Sequence, residues 1–119
     1  MIGRPSDPAT TERVRAIATA LPGAAEKESH GEAAWFVRGR QFATMSDRHH
    51  DDRLAIWLAA PAGRQESLVD TDAARFFRPP YVGHRGWIGV FLDVPTVDWD
   101  ELASLVADAH ALIATARPR

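Results

Sequence analysis

Cysteine is absent from the 119 residues. That removes disulfides, thiolate metal sites and cysteine nucleophiles from consideration. Lysine is almost absent: of 14 basic residues only Lys27 is lysine and the rest are arginine. No apolar run approaches the roughly 18 residues that a bilayer span needs. The opening stretch MIGRPSDPATTER has no apolar core of the kind a secretory signal carries. No Gly-x-Ser-x-Gly elbow, P-loop or dinucleotide fingerprint occurs, so no catalytic residue and no cofactor is expected. The expectation is a soluble cytoplasmic protein without a membrane partner, more a binding module than an enzyme.

The length suits one domain with a real core, here taken as residues 1–119 with flexible ends at 1–6 and 115–119. An apolar fraction of 45% and a charged fraction of 25% are those of an ordinary globular protein. The net charge of −2 excludes a uniformly basic nucleic-acid binder. The charge is unevenly spread, however. Residues 33–46 contain no acid but hold Arg38 and Arg40. Residues 73–92 contain no acid but hold Arg75, Arg78, His84 and Arg85. A local positive surface follows from this distribution, as does the plainer alternative of arginine-rich coding in a GC-rich genome.

Asp7 followed by Pro8 predicts a helix start, with a carboxylate cap and proline at the first helical position. Val14, Ile17, Ala18 and Leu21 recur at helical spacing, and Leu21-Pro22-Gly23 ends the segment. A polar stretch follows from Glu26 to Glu32. AAWFVRGRQFATM then reads as a hairpin turning at Arg38-Gly39, with Trp35 opposite Phe42 and Val37 opposite Arg40. Leu54–Leu58 is a third strand, with Leu54, Ile56 and Leu58 on one face and Trp57 on the other. A short helix is expected from Pro61 to about Val69. Arg75–Arg78 and Trp87–Leu92 are a fourth and a fifth strand. In the last helix Asp98 and Glu101 form a capping box. Leu102, Leu105, Val106, Ala109, Leu112 and Ile113 supply its apolar stripe. The order predicts an α+β two-layer domain, α-β(3)-α-β(2)-α, whose five-stranded antiparallel sheet is covered by helices on one face.

Several groups are candidates for function. If the aliphatic faces are core, Trp57 and Trp87 point to the uncovered side of the sheet. Together with Arg38, Arg40, Arg75, Arg78, His84 and Arg85 they would form a surface for nucleic acid, arginine forks meeting phosphates and rings stacking on bases. The same composition suits a dimer or other protein interface, or plain core with the faces reversed. In the loop Tyr81–Trp87, Gly83 and Gly86 are read as supplying positive φ. That could aim His84 and Arg85 at an anion, or simply make a turn with solvated tips. A small-molecule site there would need a concave pocket with convergent polar groups. Arg48-His49-His50-Asp51-Asp52 contains metal-ligand residue types, but adjacent rings rarely converge on one ion and a hydrophilic loop is the better reading. His30 and His110 are lone histidines, and His110 follows the apolar stripe of the last helix closely enough to suggest packing.

The chain also resembles the MmcQ/YjbR family over nearly its whole length. The residues that carry the resemblance are Leu21-Pro22-Gly23 with Glu26, His30-Gly31, and Phe36-x-Val-x-Gly39-Arg40-x-Phe42-Ala43. Pro80-Tyr81, Gly86-Trp87-Ile88, Leu92-Asp93 and Val97-Asp98-Trp99-x-Glu101-Leu102 complete the set. Arg40 stands where lysine is common in the family. The resemblance implies a bacterial protein with a secretion-chaperone-like α+β fold, a DNA-binding label and no established enzymatic activity. The expected partners are therefore DNA, a second copy of the chain, or another protein.

Overall fold

The computed structural model describes residues 8–47 and 53–116. The Asp7 cap and the 48–52 loop lie outside those residues. Helix α1 runs Pro8–Thr19 and buries Val14 and Ala18, one turn apart on the same stripe. Gly23 then takes a left-handed φ of +71° and reverses the chain. The strands are β1 (Ala25–Ser29), β2 (Glu32–Val37), β3 (Arg40–Asp47), β4 (Leu54–Leu58), β5 (Phe76–Phe77) and β6 (Ile88–Phe91). Helix α2 spans Arg64–Thr71 and α3 spans Trp99–Thr115. The strands form one antiparallel sheet in the order β1-β2-β3-β4-β6-β5.

The architecture is the expected α+β one, but the sheet has six strands rather than five. The additional strand, β1, is the polar stretch Ala-Glu-Lys-Glu-Ser, almost wholly exposed. It is joined to β2 by His30-Gly31, both at positive φ (54° and 81°). Arg38-Gly39 repeats the device between β2 and β3 at 54° and 78°. Two successive left-handed residues make the tight turn whose twist matches antiparallel strands.

The β2–β3 register departs from the simple hairpin. Val37 faces Arg40 and Phe36 faces Gln41, but Trp35 faces Ala43. Phe42 is therefore an extra residue, a β-bulge, and the expected Trp35–Phe42 pair does not form. The bulge sends Phe42 to the helix side, where its ring meets that of His110 edge-on at 5.3 Å. His110 is a packing residue: its Nε2 lies 2.7 Å from the Pro22 carbonyl. Leu112, expected in the apolar stripe of α3, is among the exposed residues instead. The Asp98 cap is as the sequence predicts, its carboxylate accepting the Glu101 N–H at 3.0 Å.

Register divides the sheet cleanly. Trp35, Ala43, Met45, Leu54, Ile56, Leu58, Ile88 and Val90 share the face that α1 and α3 cover, and all are buried. Thr44, Ser46, Ala55, Trp57, Gly89 and Phe91 share the other. All five residues of β4 are nonetheless buried, so the second face is not open there. The chain between β5 and β6 folds across it. Among the described residues no helix is long and apolar enough to cross a membrane.

Candidate functional site

The β5–β6 connection is built to hold one shape. Pro79-Pro80 stiffens its entry. Tyr81 then takes φ +67°, and the Val82 N–H donates to the Pro80 carbonyl at 2.7 Å. This is a three-residue γ-turn in its rare, positive-φ form. A 3-10 turn follows at Gly83–Arg85 and ends at Gly86, which has φ +87°. Gly83 does not supply positive φ, contrary to expectation. Its need is for space, since a Cβ there would stand 2.6 Å from Cγ of Arg78. Gln65, on α2 and only 4% exposed, ties the loop down. Its amide nitrogen donates to the carbonyls of Gly83 and Trp87 at 2.9 and 2.5 Å.

Between this loop and the second face of the sheet lies a trough of about 570 Å³, whose lining also takes in Met45 and Ile113 from the helix-covered side. Thr44, Ser46 and Trp57 form its floor, Ser29, His30 and Glu32 close one end, and Tyr81, Val82, Arg85 and Trp87 form the far wall. The volume is within the range of small-molecule sites, roughly 300–1,000 Å³. The trough is also polarised. Ile88 pairs with Leu58, and Leu58 with Ala43, so Trp87 enters level with the start of β3. That places the Arg85-Trp87 wall at the same end as Arg40 and Gln41. Arg85 lies 5.7 Å from the centre of the Trp87 ring. Among the described residues no carboxylate pairs with Arg40 or Arg85. The opposite end carries Ser29, His30, Ser46 and Glu32, whose carboxylate accepts the Asp47 N–H at 2.9 Å.

Of the eight residues expected to form one surface, four meet here: Arg40, Trp57, Arg85 and Trp87. The other four are elsewhere. Arg38 donates to the Ala114 carbonyl near the C-terminus of α3. Arg75 is clamped between Asp72 (2.7 Å) and Glu101 (2.6 Å). That pairing holds the Asp72 carboxyl below its ordinary range and raises the Arg75 pKa. Arg78 packs its stem under Gly83. His84 is exposed on the 3-10 turn and does not line the trough. The tryptophans are not an open stacking platform either: Trp57 is 9% and Trp87 4% exposed. They lie on the expected side of the sheet, but little of either side chain is exposed.

Gln41, Thr44 and Ser46 also line the trough and are not among the residues expected from the sequence. Their signal was the alternation in Gln41-Phe42-Ala43-Thr44-Met45-Ser46, polar residues recurring on the face away from the core. Gln65 gave no such signal. A second polar cluster is structural. Glu26 accepts from Arg15 (2.7 Å) and from the Trp35 indole N–H (3.0 Å), which lowers its pKa. It joins β1 to α1 on the helix side, away from the trough.

These features define a small two-layer α+β domain with helices on one sheet face and a loop-walled trough on the other. The chain belongs to the YjbR family, whose model matches residues 19–112. Among solved structures it is similar to the Deinococcus radiodurans protein DR2400, which carries the family-model domain DUF419. The two share 19% sequence identity with a TM-score of 0.75, over 88% of this chain and 78% of that one. No curated protein matches the chain.

Proposed function

We propose that this domain binds a small organic anion in the trough between β3 and the 81–87 loop. The observation that carries the reading is that Arg40 and Arg85 both line one cavity whose walls include two indoles. Cations that no carboxylate among the described residues pairs with favour an anionic guest, and the largely covered walls favour one with an apolar body. The DNA reading has narrower support. Arg38 and Arg75 have other partners, which breaks the row of arginines that would track a duplex. What the trough could accept is one nucleotide of a single strand. A homodimer through Trp57 has less behind it still, because that ring is already covered.

Titration with 1-anilinonaphthalene-8-sulfonate tests the proposal. One equivalent should bind the folded chain with enhanced fluorescence, and Arg40→Glu/Arg85→Glu should weaken it at least about tenfold, against little change for Arg38→Glu. Equal binding by all three proteins would overturn the reading. Labelled single- and double-stranded oligonucleotides over a salt series, with Arg38→Ala/Arg40→Ala alongside, separate the nucleic-acid form. Duplex binding that falls steeply with salt would favour it.

A further inference from the structure

Ser46 is 6% exposed and lines the trough, on the sheet face away from α1 and α3. Its hydroxyl has no hydrogen-bond partner among the described residues. Among those residues no side-chain nitrogen or oxygen that is sealed from solvent lacks a partner. The Ser46 oxygen is therefore not sealed: it opens on the cavity that the residue lines. Thr44, on the same face, differs in this respect. Its hydroxyl lies 3.4 Å from the Ala33 carbonyl and 3.2 Å from that of Met45, so it is engaged with backbone. A buried side-chain hydroxyl is normally met by protein or by water. One that faces a cavity is a group that a guest can meet.

Position adds to this. Arg40 opens β3 and Ser46 stands six residues later. At a strand rise of about 3.3 Å per residue, with one residue taken up by the bulge, their backbones are roughly 15–20 Å apart. Trp57 pairs with Thr44, part-way between them. Resting on the function proposed above, we infer that the guest is an elongated anion whose far end carries a hydroxyl, and that Ser46 is the residue that recognises it. Arg40 and Arg85 receive the charge, and the apolar body lies over Trp57. A terminal hydroxyl can donate to the Ser46 oxygen or accept from it. A guest that ends in a methyl group displaces water from that oxygen and replaces none of its hydrogen bonds. Ser46 thus distinguishes guests of equal charge and chain length.

The test is calorimetric titration of the full chain with two matched pairs of acids, octanoate against 8-hydroxyoctanoate and decanoate against 10-hydroxydecanoate. Each pair shares its charge and chain length and differs by the terminal hydroxyl. In at least one pair Ser46→Ala should shift the ratio of the two affinities toward the plain acid by about fivefold, the scale of one net hydrogen bond. Comparing two acids on the same protein cancels any effect of the substitution on folding. Ser104→Ala, at an exposed serine of α3, should leave both ratios as in the wild type. Arg40→Glu/Arg85→Glu should weaken all four acids. Ratios in Ser46→Ala equal to those of the wild type in both pairs overturn the role of Ser46 and leave the anion site standing. Failure of all four acids to bind, or binding that survives the double arginine substitution unchanged, overturns both.

Discussion

Gly89 lies on the trough side of the sheet, facing Trp57 on β4 and Phe77 on β5. A Cβ added there would meet three ring carbons of Phe77 at 2.2, 2.4 and 2.5 Å. Carbon atoms rest about 3.5–4.0 Å apart, so the ring would have to retreat by more than ~1 Å. It is not free to do so cheaply. Phe77 stacks on Phe91 with centroids 4.5 Å apart. Arg53 covers Phe91 at 3.7 Å, and Asp93 grips that guanidinium with two bonds of 2.7 and 2.8 Å. Overpacking costs about 1–3 kcal/mol, and the stack is worth about 0.5–1.5 kcal/mol. Relief of the glycine's chain entropy returns about 0.5–1 kcal/mol. Gly89→Ala should therefore destabilise by about 1–3 kcal/mol. With an unfolding entropy near 2.1 cal/mol/K per residue, this lowers Tm by ~4–12 °C. Thermal unfolding followed by circular dichroism measures it. In a Phe77→Ala background the obstacle is gone, and the same substitution should cost almost nothing, a coupling of at least ~1 kcal/mol. A Tm unchanged by Gly89→Ala, or an equal cost in both backgrounds, would refute the packing argument.

Two other substitutions probe the loop and the helix side. Gln65→Leu leaves the carbonyls of Gly83 and Trp87 without their buried donor, a loss of about 2–4 kcal/mol. Hydrogen exchange should then accelerate at the Arg85 and Gly86 amides while β3 and β4 stay protected; retained protection there would show that Gln65 is not the anchor. Glu26 is held below its ordinary pKa by its hydrogen bond from Arg15 first, then by the Arg15 charge and the Trp35 N–H. Its contribution is thus complete above the unfolded glutamate value of about 4.3 and is lost as pH falls through the lower folded value. Glu26→Gln should lower Tm at neutral pH and converge with wild type in acid; parallel curves down to ~pH 3 would refute the pairing.

Much of this architecture was legible because the sequence states it twice, in pattern and in punctuation. Helix α3 has both a capping box and an apolar stripe, and β4 has its alternation of aliphatics with Trp57. The elements that escaped had only one signal or none. Strand β1 alternates nothing apolar, because one of its faces spends Glu26 on Arg15 and the other puts Lys27 over the Phe36 ring. Only His30-Gly31 hinted at the hairpin. The bulge at Phe42 could not be read, since a pattern of period two does not say where a residue is inserted. The trough was half legible. Arg40, Trp57, Arg85 and Trp87 were named from composition, but what gathers them is the anchoring of the 81–87 loop by Gln65, a long-range contact with no local signature. Arg38 and Arg75 share the composition and lack the geometry, because a helix end and two carboxylates had the prior use of them, and Arg78 lies outside the trough lining.

The polarity that hid β1 has a consequence for how the molecule behaves in a crowd. An antiparallel sheet has two unpaired margins, each a template on which another chain can add a strand. Here one margin is a charged ribbon of Glu26, Lys27 and Glu28, and the other, β5, is two residues long. A recruited strand would have to strip water from ionised side chains on the first and would find almost no ladder on the second. The sheet thus ends where it does by chemistry on one side and by brevity on the other. Its apolar centre can stay dense without offering neighbours a place to continue it.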